Sequence, residues 1–134
     1  MRGANELKRD LAKQLTRQYF ESWVTADNER FIKTLHDKAV ARECNGTVIE
    51  GMEQLKAWFS EWNEHGNSVE YWDIKVFGWD EEADTAFVEW TFKCVYDNQE
   101  YEWDGSSIIY FRDSLIYEIN EYEMKKEKFY PFRR

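Results

Sequence analysis

Glu118, Asn120 and Tyr122 alternate along the segment from Leu115 to Met124. At that spacing a carboxylate, an amide and a phenol share one face of an extended strand. A carboxylate enclosed by aromatic rings is an acid/base group, because burial disfavours its charged form and moves its pKa toward neutrality. Trp90 and Trp103 would be the walls around Glu118, while Asn120, Tyr122 and Ser107 would orient a substrate oxygen or an attacking water. Trp58, Trp72 and Phe92 extend the candidate ligand-binding wall. Asp104 is the other candidate catalytic residue. Glu43, on a short strand of alternating Val40, Arg42 and Cys44, could reach the pocket mouth, but the pattern does not decide whether it faces in or out.

The remaining reactive side chains support little else. Cys44 and Cys94 are too few and too far apart for a disulfide framework or a cysteine zinc site. His36 and His65 form no HxH or HxxxH pair, and no calcium loop or phosphate-binding glycine pattern occurs, so no metal or other cofactor is expected. A formal net charge of −9 opposes polyanionic partners, which excludes nucleic acid and anionic membrane surfaces as expected targets. The apolar runs are short and the start, MRGANELKRD, is polar. No membrane span and no signal peptide are expected, and the location expected is cytoplasmic.

The elements that must position these groups follow from two periods. Leu7, Leu11, Leu15, Tyr19 and Trp23 recur every fourth residue, predicting a helix over 6–24. Asp27 is an N-cap for a shorter helix with Phe31, Ile32 and Leu35, and His36 at its end would favour the helix dipole. A strand is expected over 39–44, then a turn at Asn45-Gly46. Gly51 precedes a third helix with Met52, Leu55, Trp58, Phe59 and Trp62, ending near His65-Gly66.

From Val69 the period becomes two. Strands are expected over 69–79, 85–96, 101–112 and 115–124, joined by short polar turns that imply antiparallel neighbours. Helices precede the sheet, no linker divides the chain, and one α+β domain over 1–134 is expected. At this length such a domain buries about two-thirds of its unfolded surface. Aromatic residues make up 18% of the chain, more than packing requires, which suggests a small hydrophobic or aromatic ligand in a central pocket.

Register decides which groups face that pocket. A turn at Asn98-Gln99 pairs Tyr96 with Tyr101 and puts Trp90, Phe92, Trp103, Gly105 and Ser107 on the inner face. Asp104 then lies outside across from Lys93, unless a bulge at Gly105 turns it inward. A turn at Asp113-Ser114 pairs Phe111 with Ile116 and brings Glu118, Asn120 and Tyr122 inside. A β-bulge in the last strand would reverse this, leaving Glu118 solvated and turning Glu121 or Ile119 inward.

In combination, GMEQLKAWF, WDGSSIIYF and RDSLIYEINEY resemble motifs of the nuclear transport factor 2-like superfamily, most closely its SnoaL-like (polyketide cyclase-like) branch. The similarity runs from about Tyr19 to Phe132. Ser114-Leu115 departs from the family's usual Gly-Lys at the last hairpin. The resemblance implies a cone-shaped, cystatin-like α+β fold in which N-terminal helices pack on a strongly curved antiparallel sheet around a pocket. It also implies a homodimer through the sheet's outer face, where Phe87, Val95, Ile108 and Tyr110 are expected. No single reaction is implied, since the superfamily spans isomerases, cyclases, hydrolases and proteins without activity. Its ketosteroid isomerase combines an Asp base with a Tyr and a protonated Asp as oxyanion donors, a chemical analogy rather than a positional one. The resulting expectation is a small-molecule pocket protein working, if enzymatic, by acid/base chemistry; the alternative is a non-catalytic binding or dimerisation module.

Overall fold

The computed structural model describes residues 4–133, with side chains described from residue 8. Helix α1 spans Ala4–Thr25, α2 Asn28–Lys33 and α3 Gly51–Glu64. The strands are β1 Leu35–Arg42, β2 Val48–Glu50, β3 Ser68–Asp80, β4 Thr85–Tyr96, β5 Gln99–Arg112 and β6 Leu115–Glu123. They form one sheet in the order β2-β1-β6-β5-β4-β3. The sheet is mixed and not closed: β1 runs parallel to β6, and every other pair is antiparallel.

The four-residue stripe on α1 does bury Leu15, Tyr19 and Trp23, whereas Leu11 stays exposed and the side chain of Leu7 lies outside the described residues. Asp27 caps α2 by accepting the Arg30 amide at 3.1 Å. That helix is a single short turn-and-a-half, and Leu35 and His36 belong to β1 instead. His36 therefore caps no helix. Its Nδ1 accepts the Lys38 amide at 3.0 Å, and its Nε2 lies 3.3 Å from Asp113 Oδ2. The end of α3 matches its expectation, with His65 at the C-cap and Gly66 at φ +76°.

Helices and sheet close on an aromatic core. Phe31 stacks on Phe59 at 4.3 Å, and Trp23 meets Phe59 at 4.7 Å and Trp58 at 4.8 Å. Burying each such ring contributes roughly 2–3 kcal/mol, which fixes α1 and α3 over the concave face.

Two turns set the register. Asp97 and Asn98 both adopt positive φ, so the β4–β5 hairpin is a two-residue loop pairing Tyr96 with Gln99, not with Tyr101. Asp113 and Ser114 do the same for β5–β6, and Phe111 faces Ile116 as expected. One step later a bulge intervenes, and Tyr110 pairs with Glu118. Gly105 carries no bulge in the β4–β5 ladder. It is glycine because a Cβ there would sit 2.6 Å from the Trp90 ring and collide with the Tyr122 carbonyl oxygen.

Candidate functional site

The bulge in β6 reverses the faces of everything that follows it. Ile119 is buried beside Ile109, and Glu121 faces Ser107 on the concave side. Glu118, Asn120 and Tyr122 consequently lie on the outer face, next to Tyr110, Ile108 and Ser106. There Arg42 Nη1 reaches Glu118 Oε2 at 2.8 Å and Asn120 Oδ1 at 3.2 Å, and the Asn120 amide donates to Glu118 at 2.9 Å. Tyr122 is 51% exposed. The structure thus corrects the inward placement of these three and realises the bulged alternative.

Asp104 stays on the outer face. It accepts Thr91 Oγ1–H at 2.8 Å and Lys75 Nζ at 3.0 Å, contacts that hold its carboxyl below the usual carboxylate range. Lys93, the partner expected for it, pairs with Glu70 at 3.2 Å because the ladder sets Lys93 opposite Glu102.

Trp90 and Trp103 do not wall Glu118, which lies on the other face, and the aromatic residues divide among different contacts. Trp90 is buried and its indole N–H donates to Ser107 Oγ at 2.9 Å, so the two spend their polarity on each other. Phe92 bridges Trp72 and Trp103, each at 5.0 Å. Trp58 packs against Trp23. Trp72 stacks flat on Phe20 at 4.0 Å and lines an open groove of about 470 Å³ between α1 and β3, flanked by Arg17, Val24 and Tyr71.

Other buried polar atoms are left over. The Tyr19 hydroxyl, the indole N–H groups of Trp23, Trp62, Trp72 and Trp103, and Glu121 Oε2 are cut off from solvent, and none has a hydrogen-bond partner among the described residues. Native interiors rarely leave such atoms unsatisfied, so each needs a partner from outside the chain or a role of its own. Part of Glu121 is still exposed, but Oε2 is not. Burial first, then the charges of Glu43 and Glu123, push the Glu121 carboxyl up to about 8.

Glu43 follows Arg42, which is level with Asn120 in the parallel β1–β6 ladder, so it stands beside Glu121. Burial and Glu123 raise its pKa as well. Tyr19 is raised well above the ordinary phenol value, by burial first and then by Glu121. Cys44, though exposed as a residue, is pushed up to about 12 by desolvation of its thiol and by Glu123, and Cys94 to about 11 by burial.

At neutral pH this set holds a protonated carboxyl, a protonated phenol and further carboxyl groups at one end of an aromatic concave face. The protonated carboxyl and the phenol are hydrogen-bond donors, and a neighbouring carboxylate can accept a proton. In the sequence Tyr19 is legible only as one residue of the helical stripe. The available signal was its phenol, which a buried tyrosine must place somewhere.

The fold and these groups define a cone-like α+β scaffold with an acid/base cluster inside it. A family model described as the SnoaL-like domain matches residues 16–119, and the chain belongs to that family. Among solved structures, an LEH-like epoxide hydrolase from M. tuberculosis is similar at 15% identity, covering 86% of this chain and 84% of that one with a TM-score of 0.75. A protein of unknown function with a cystatin-like fold from Methylobium petroleophilum shares 23% identity, covering 93% and 83%, at 0.69. A hypothetical protein with a ketosteroid isomerase-like fold from Catenulispora acidiphila, in complex with trimethylamine, shares 12%, covering 81% and 83%, at 0.69. Identities this low bear on fold alone. No curated protein sequence matches the chain. Among the described residues no helix is long and apolar enough to cross a membrane.

Proposed function

We propose that the chain is a cofactor-free acid/base enzyme acting on a small apolar or aromatic molecule that carries a carbonyl oxygen. Glu43 takes a proton from the carbon next to the carbonyl, the C–H electron pair moves into the enolate, and the Tyr19 and Glu121 hydroxyls hold the enolate oxygen. Return of the proton at the same or a neighbouring carbon completes the cycle, so atoms and charge balance without an added reactant. The observation that carries this reading is the buried, unpartnered Oε2 of Glu121, whose carboxyl burial pushes up to about 8, beside a buried phenol whose hydroxyl is also unpartnered. Such donors favour the charged oxygen over the neutral carbonyl.

The test is solvent deuterium uptake into small aryl ketones, followed by NMR. Glu43→Gln should slow uptake by about 10² or more. Uptake by the wild type no faster than in buffer, across the panel, would overturn the reading.

A second copy of the chain on the sheet's outer face is part of the proposal. Phe87 at 47%, Val76 at 57% and Tyr122 at 51% exposure leave an apolar patch there, of the kind that marks an interface. A cytoplasmic setting is also proposed. It is supported by two free thiols, Cys44 and Cys94, which reducing compartments preserve.

A further inference from the structure

Glu43, Glu121 and Glu123 place three carboxyl groups on one face, at the shared end of β1 and β6. Ala41 and Ile119, one pair of the parallel ladder, are both buried, so the residues two positions on, Glu43 and Glu121, lie on that same face. Glu123 is two residues further along β6, opposite Gly105, toward solvent. Among the described residues no Lys, Arg or His forms an ion pair with any of the three. The sheet's ion pairs, Arg42–Glu118 at 2.8 Å, Lys75–Asp104 at 3.0 Å and Lys93–Glu70 at 3.2 Å, sit on the opposite face.

Crowded like charges bind protons more tightly, and any cation placed among them relieves the same repulsion. A second observation points to a ligand. Tyr19 is fully buried, its hydroxyl has no partner, and it feels both Glu121 and Glu43. Trp23, 5% exposed, sets its ring 6.5 Å from that of Tyr19, and its indole N–H acts on that phenol against the effect of burial. Among the described residues no cluster of His, Cys, Asp or Glu is arranged to hold a metal ion. Carboxylates combined with aromatic faces suit a weakly hydrated organic cation.

We propose that the ligand of this site carries an ammonium group, seated between Glu43 and Glu123 at the open end, with its aromatic, oxygen-bearing body directed at Tyr19 and Glu121. The preferred class is an aryl amine-bearing ketone or alcohol rather than its neutral or anionic counterpart. The placement of the oxygen rests on the acid/base reading above; the preference for positive charge does not.

The experiment is titration of tryptophan fluorescence at neutral pH with three shape-matched probes: phenethylamine, 2-phenylethanol and 3-phenylpropanoate. Phenethylamine should bind about tenfold or more tighter than the alcohol, with the carboxylate weakest. Glu123→Gln, at an exposed strand end, should cut the preference for the amine to about threefold or less, without weakening the alcohol. Equal binding of amine and alcohol, no binding of the amine, or a preference that survives Glu123→Gln would each overturn the proposal. Alcohol binding and ketone deuteration without an amine preference would sink only the charge inference. An amine preference without deuteration would sink only the proton-transfer reading.

Discussion

Glu121 lies directly opposite Ser107 on the concave face, and the Ser107 oxygen already accepts the Trp90 indole N–H at 2.9 Å. Glu121 Oε2, by contrast, is buried and unpartnered, as are the Tyr19 hydroxyl and several indole N–H groups of the core.

The raised Glu121 pKa makes stability depend on pH. Its folded value of about 8 lies above the ordinary 4.5, so the folded state binds the extra proton and stability falls as pH rises between those values. Glu43 is shifted in the same direction. Wild type should lose about 2 kcal/mol more than Glu121→Gln between pH 6 and pH 9, read by urea unfolding at both. Parallel pH profiles for the two proteins would refute it.

Tyr19→Phe separates stability from function. Removing a buried hydroxyl without a partner should leave the fold unchanged or stabilise it by about 1 kcal/mol. Ketone deuteration should nevertheless drop about tenfold or more, because one oxyanion donor is gone. Thermal melts and the deuteration rate, measured on the same preparation, check both halves.

Gly105→Ala should destabilise by about 1–3 kcal/mol, since its methyl group must displace the Trp90 ring or the β6 backbone. Chemical denaturation measures it. An unchanged midpoint would mean that strand β6 shifts freely at this point.

Phe87→Glu tests the outer face. Sedimentation of wild type should show a dimer, and the variant a monomer with unaltered far-UV circular dichroism. A wild-type mass that stays monomeric at all concentrations would remove the second copy from the account.

The fold was legible because its signals are periodic. The stripe through Leu15, Tyr19 and Trp23 and the alternation from Val69 onward needed no tertiary information. Placing the first hairpin turn one residue late, at Asn98-Gln99 instead of Asp97-Asn98, moved the register by two, and an even shift preserves the faces. That is why Trp90, Trp103 and Asp104 fell on their expected sides. The bulge beyond Phe111 moves the register by one, which exchanges Glu118 for Glu121. Bulges of this kind carry no residue signature in the strand itself, so the sequence left both arrangements open. The pairing of β1 with β6, which brings Glu43 to Glu121, joins residues such as Ala41 and Ile119, 78 positions apart, and leaves no local pattern at all.

The central claim is that Glu121 is a buried carboxyl that keeps its proton at neutral pH. Its side-chain carbon, labelled with ¹³C and followed by NMR from pH 4 to pH 10, should titrate with a midpoint of about 8. A midpoint near the ordinary 4.5 would show a solvated carboxylate and would contradict both the proton-donor role and the site built around it.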